Sequence, residues 1–217
     1  MTEVSERSLE AAVECALLRY GPDACPGDEK LHEARAPFGD TIPGGYRRRA
    51  PDEYDRALCL LPRDVIDYIL ATQPKEWNKL EQQHGSALRE KFLKRLAHEI
   101  ERRGALDVLR HGIKDSGTKF ALAYFRPASG LNEETRRLHA GNLFSVVRQL
   151  KYSETCEKCP DIVLFLNGIP IFTAELKNPL TGQRVEDAIR QYKRDRDPRE
   201  PLFSYGRCLA HFAVDPE

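Results

Sequence analysis

Residues 159–178, CPDIVLFLNGIPIFTAELKN, can be accommodated by few architectures. Two apolar, β-rich runs, 162–166 and 169–174, flank Asn167-Gly168, a strong short-range hairpin signal. At the ends away from the turn stand Asp161 on one run and Glu175 and Lys177 on the other. Charge beside an apolar hairpin is costly to bury unless it is paired or bound to a metal. An Asp followed, on the next strand, by an acidic-x-Lys can hold Mg²⁺ beside an ammonium, which suits hydrolysis of a phosphodiester. The same residues also fit an exposed hairpin end whose charges are simply solvated.

The tripeptide carries little information alone, because the chain has 34 acidic residues. Asp28-Glu29-Lys30 matches it too, but lies in the polar, loop-like PDACPGDEKLHE. Side-chain alternation adds a sharper condition. With a plain two-residue turn, Asp161 faces Ala174 and Glu175 points to the other side of the sheet. A three-residue turn, Leu166-Asn167-Gly168 with a glycine bulge, places Asp161 opposite Thr173. Asp161, Thr173, Glu175 and Lys177 then share a face. A common metal therefore requires a bulge or an odd-length turn.

The order PD, hairpin, ELK resembles the PD-(D/E)xK nuclease superfamily. The wider segments DVLRHGIKDSGTKFALAYFRPASGLN, NLFSVVRQLKYS, DIVLFLNGIPIFTAELKNPLTGQRVEDAIRQYKRDRDPREPLF and RCLAHFAVD are similar to the N-terminal part of the restriction (R) subunit of type I restriction-modification enzymes. The likeness spans roughly residues 50–217 and more loosely the helix near 6–19. It implies a restriction-endonuclease-like α/β fold, a mixed sheet flanked by helices, with the N-terminal helix packed on the hairpin's sheet. It implies a Mg²⁺-dependent endonuclease acting on double-stranded DNA, in a cytoplasmic complex with methyltransferase and specificity subunits. An ATP-driven motor would follow this chain. Residues 1–217 are then a single nuclease domain: a core-packing helix over 1–20, a loop and helical region over 21–110, and the nuclease sheet over 111–217. The final strand ending near AVDPE suits a chain cut where the nuclease core closes.

By the same analogy Asp161, Glu175 and the Leu176 carbonyl are metal ligands, with Glu10 of the first helix as a further acid. Lys177 would orient or deprotonate the attacking water, or stabilise charge in the transition state. Lys suits that place because a crowded ammonium can lose its proton and a guanidinium cannot. Gln191 corresponds to a glutamine on the helix after the ELK strand that contacts DNA near the cut. The family's tyrosine four residues later is replaced by Asp195, while Tyr192 fits the helix's apolar stripe. Two further readings remain open: a docking module silent as a nuclease, and another PD-(D/E)xK enzyme of DNA repair.

Composition narrows the possible partners. Lys+Arg and Asp+Glu balance at 34 each, so DNA capture must use local patches. Candidates are Arg47–Arg49, Arg102-Arg103, Arg136-Arg137 and the run Arg190, Lys193, Arg194 and Arg196 beside the candidate site. No stretch suits a membrane span, and the polar N-terminus does not suit a secretory signal. Six scattered cysteines show no disulfide framework and are expected as free thiols. Cys156-x-x-Cys159 is half a zinc motif without a second half, and reads as the turn before Asp161.

Periodicity predicts a helix over 5–19, an irregular stretch over 21–53 and three helices marked by Val65–Leu70, Trp77/Leu80 and Leu88–Ile100. Strands are expected over 119–125, 144–152 and 208–214, and a helix around Val185–Tyr192. Gly112–Lys119 nearly spells a phosphate loop, but Thr118 and Lys119 are inverted and a strand follows, which argues against ATP binding. His111 is read as a packed or loop histidine.

Overall fold

The computed structural model describes residues 6–19, 21–23, 45–129, 131–178 and 184–215. The fold is mixed α/β, as expected: a five-stranded mixed sheet flanked by helices. The helices are α1 (Glu6–Leu18), α2 (Pro62–Thr72), α3 (Pro74–His84), α4 (Leu88–Arg103), α5 (Ala105–His111), α6 (Glu133–Ala140) and α7 (Val185–Arg194). The strands are β1 (Arg47–Arg48), β2 (Ile113–Asp115), β3 (Thr118–Phe120), β4 (Phe144–Arg148), β5 (Ile162–Leu166), β6 (Ile169–Leu176) and β7 (Ala210–Val214). The main sheet runs β1-β4-β5-β6-β7, parallel at its two outer pairs and antiparallel between. Most of the stretch expected to be irregular, residues 24–44, lies outside the described residues, as do Cys25 and Asp28-Glu29-Lys30.

Strand alternation sorts the core. Val146, Ile162 and Leu176 face α1 and pack with Leu9, Val13, Leu17 and Leu18. Val147, Val163 and Phe165 face the other way, toward Tyr54, Leu61, Tyr152 and Leu202. A third cluster joins α2–α5 to Ile169 and Ile171 of β6 and to the ribbon β2–β3. The N-terminal helix therefore does pack on the sheet that carries the hairpin.

Three expectations are corrected, the first being that the strand expected over 144–152 ends at Arg148. The strand expected over 119–125 stops at Phe120 and pairs locally with β2. Its hairpin turn, Ser116-Gly117, has φ of 47° and 81°, so the near-phosphate-loop is a tight β-turn. Beyond Phe120 the buried extended chain is held by side-chain amides instead of a neighbouring strand. Gln73 Oε1 accepts from Ala121 N at 2.7 Å, Asn142 Nδ2 donates to Tyr124 O at 2.6 Å and Asn167 Nδ2 donates to Leu122 O at 2.8 Å. Three amides thus satisfy backbone groups that a sheet would otherwise pair. The third correction concerns the thiols. Cys59, Cys156, Cys159 and Cys208 are free, but Cys15 is disulfide-bonded.

Candidate active site

The hairpin β5–β6 meets the one-face condition by a different route from the three-residue turn. Its turn is two residues, with Leu166 opposite Ile169. Asn167 and Gly168 both have positive φ, 51° and 79°, as the turn's twist requires. The odd residue lies inside β6: Phe165 pairs with Pro170 and Leu164 with Phe172, so Ile171 is bulged out. The register then resumes with Val163 opposite Thr173 and Ile162 opposite Ala174. Continued by one step, it sets Asp161 opposite Glu175, where the three-residue turn had set it opposite Thr173.

Asp161 sits just before β5, half-buried and held at both oxygens. Oδ2 accepts the Leu176 backbone N–H at 2.7 Å, and Oδ1 accepts Gln149 Nε2 at 3.0 Å. Glu175 is 1% exposed. Its Oε1 accepts both Nε and Nη2 of Arg196, while its buried Oε2 has no hydrogen-bond partner. Burial pushes the Glu175 carboxyl up to about 7, against the pull of Arg196; Asp161 raises it further and Lys177 lowers it. Lys177 is 9% exposed and continues from β6 with its backbone N–H on Val214 O. Leu176 presents its side chain to the α1 cluster.

Glu10 comes from the helix on the opposite face and reaches the end of β4. It is 4% exposed, with Oε1 accepting Gln149 Nε2 at 2.8 Å and Oε2 accepting Arg148 Nη2 at 3.0 Å. Arg148 also pairs with Glu14, so α1 is tied to β4 by charge as well as by packing. The Cys159 thiol senses the whole group. Burial raises its pKa most; Arg196 opposes, and Asp161, Glu175 and Glu10 each raise it.

The structure thus brings together Asp161, Glu175, Lys177 and Glu10. It does not join Gln191 to them by a hydrogen bond among the described residues. Gln191 is half-exposed on α7, beside Tyr192, whose hydroxyl lies 2.8 Å from Thr173 Oγ1 on the Glu175 face. Arg190, Lys193 and Arg194 are exposed on the same helix, with Arg190 paired to Asp187. Arg196, grouped with these cations in the sequence, is instead buried. It bonds Glu175 and the Cys159 carbonyl and lies over the rings of Tyr152 and Phe203. Of the other basic clusters, Arg48 and Arg49 pair with Glu14 and Asp64, and Arg102 and Arg103 with Glu99. His111 is an exposed helix-end residue paired with Asp107.

Sequence reasoning missed Gln149 and read Arg196 as one of the DNA-facing cations. A cation two residues beyond a helix gives no sign of being buried, and Gln149 carries no motif. Glu10 lies 139 residues of chain from Gln149, so only folding joins them. Among the described residues no group of three His, Cys, Asp or Glu side chains is placed to hold a metal ion. The available donors are two hairpin carboxylates, the nearby Glu10 and backbone carbonyls. A buried carboxylate oxygen without a partner fits a hard cation, which prefers oxygen ligands and retains water.

The family model of the type I restriction enzyme R protein N terminus matches residues 65–216. Two relatives come from Methanocaldococcus jannaschii, and their names are themselves inferred. The type I restriction enzyme MjaVIIIP endonuclease subunit is 28% identical over 145 residues, covering 65% of this chain and 14% of the relative. The MjaIXP endonuclease subunit is 38% identical over 50 residues, covering 23% of this chain and 5% of the relative. The chain therefore spans a small fraction of the length of these relatives. No solved structure matches it significantly. The chain belongs to the family of type I restriction enzyme R protein N-terminal regions.

Proposed function

We propose that this chain is the DNA-cutting module of a type I restriction R subunit, hydrolysing phosphodiesters of double-stranded DNA with Mg²⁺. The observation that carries the reading is the buried Glu175 Oε2, without a hydrogen-bond partner, electrostatically coupled to Asp161 and Lys177. Such an oxygen costs folding energy unless something binds it. Asp161, Glu175 and the Leu176 carbonyl would hold the ion, with Glu10 in support. Mg²⁺ held there would supply Lewis-acid activation of water and neutralise charge at the phosphate.

The chain's own residues do the rest. Arg196 fixes the Glu175 carboxylate through Oε1 and leaves Oε2 available. The Leu176 N–H and Gln149 fix both oxygens of Asp161. Lys177, beside Glu175, orients or deprotonates the attacking water, or meets charge developing on the phosphate. The exposed cations Arg190, Lys193 and Arg194, with Gln191, form the α7 face that would meet the DNA backbone. Residues 1–217 act as one nuclease domain. In the full-length cytoplasmic protein an ATP-driven motor would deliver DNA, and methyltransferase and specificity subunits would select it.

The test uses the reconstituted full enzyme. Asp161→Ala, Glu175→Ala and Lys177→Ala should each abolish DNA cutting while ATP hydrolysis and translocation continue. Retained cutting in any of the three would sink this assignment. Loss of ATPase with Lys177→Ala would point instead to a structural role for that residue.

A further inference from the structure

We propose that Gln149 is a positioning residue whose side-chain amide bridges Glu10 and Asp161, setting the spacing of two acids from separate elements. This rests on the metal-site reading above. The Nε2 group has two hydrogens and two carboxylate partners, Glu10 Oε1 at 2.8 Å and Asp161 Oδ1 at 3.0 Å. Two carboxylates held this close to one point repel unless a donor lies between them. The amide orientation is also determined. Oε1 accepts the Cys159 Sγ–H at 2.9 Å, which turns the NH₂ toward the acids.

The backbone gives an independent sign. Gln149 has φ of 50°, in the left-handed region that side chains other than Gly, Asn and Asp rarely adopt. Strain of this kind persists where the surroundings impose it, and it gathers at functional sites. Here the imposing contacts are local: Gln149 N donates to Asp161 O at 2.9 Å, and Leu150 N donates to Pro160 O at 3.3 Å. The strand turns out of β4 at this residue, so the side chain reaches past the sheet end toward α1 while the main chain stays bonded beside Asp161. Gln149 itself is exposed, so its side chain contributes little to the core. A glutamine that strains its backbone, contributes little packing and satisfies two acids serves the acids.

Asparagine separates the bridge from the strain. It tolerates positive φ better than glutamine but is one methylene too short to span both acids. Mn²⁺ binding to the 217-residue chain is measured by calorimetry for wild type, Gln149→Ala, Gln149→Asn and Asp161→Ala, alongside melting of the metal-free proteins. Both Gln149 variants should bind Mn²⁺ about tenfold more weakly, as for lost outer contacts to metal ligands. The metal-free melting temperature should fall slightly for Gln149→Ala, because Glu10 and Asp161 then repel without a donor between them, and fall less for Gln149→Asn, which relieves backbone strain. Glu10→Gln should cost less affinity in the Gln149→Ala background than in wild type, because the two act through one contact. If wild type binds Mn²⁺ and Asp161→Ala does not, yet both Gln149 variants match wild type, the bridge is overturned and the site reading stands. If wild type takes up no Mn²⁺, the site reading falls and the bridge with it.

Discussion

Glu175 and Arg196 form a buried pair whose members contribute in opposite ways. The guanidinium favours the carboxylate, burial disfavours it, and burial prevails, leaving the group titrating at about 7. Only the ionised form can take a cation. Metal affinity should therefore be lost as pH falls through 7, by about tenfold per unit below it, and level off above. Mn²⁺ titrations between pH 6 and 8 check this; a flat profile would exclude Glu175 as a ligand. Removing the partner gives a second expectation. Arg196→Ala strands a buried carboxylate and should cost about 3 kcal/mol at pH 8. The sign follows from the raised pKa. Glu175 takes up a proton more readily folded than unfolded, so the penalty should shrink as pH falls toward 5. Urea denaturation at the two pH values would show it.

At the scale of elements, the β5–β6 hairpin is the device that aligns the acids, and its turn is buried. Asn167 exchanges two hydrogen bonds with Leu143, both at 2.7 Å, and its Nδ2 also bonds Asn142. A Cβ on Gly168 would lie 2.5 Å from Leu61 O and 2.8 Å from Val65 N, at a φ of 79°. Gly168→Ala should therefore destabilise the protein by about 3 kcal/mol or more through strain and clash with the start of α2. Thermal or urea unfolding measures it, and a cost below 1 kcal/mol, the size of an ordinary surface change, would mean that the turn is looser than described. The same argument explains why the bulge sits in β6. With the turn pinned as two residues under α2, the extra residue needed to align Asp161 with Glu175 must enter the strand, and it enters at Ile171.

For the whole molecule, charge is the governing quantity. The net charge is zero, and several of the arginines that looked free are committed to Glu14, Asp64, Glu99 and Glu175. Long-range attraction to DNA is correspondingly weak. The isolated chain should bind DNA weakly, with a shallow salt dependence, and cut it poorly without a motor to deliver it. A salt titration of DNA binding and an ATP-free cleavage assay address both points. Efficient ATP-independent cutting by the chain alone would refute delivery as the limiting step.

The alternation of β4, the apolar β-rich run of β5, the Asn-Gly turn and the stripe of α1 were legible in the sequence, because each is a local pattern. The acids at the hairpin ends were legible for the same reason, as charge where the pattern expects none. The need for a bulge or an odd-length turn followed from parity, given acids that share one face. Where the bulge falls did not, because it depends on α2 covering the turn. Nor did the extended chain beyond β3 read correctly. It has the composition of a strand, yet Gln73, Asn142 and Asn167, all distant in sequence, supply its hydrogen bonds. The roles of Gln149 and Arg196 were invisible for a related reason. A polar side chain takes its role from its neighbours, and theirs come from α1, β6 and the segment after α7, which only the folded chain brings to one place.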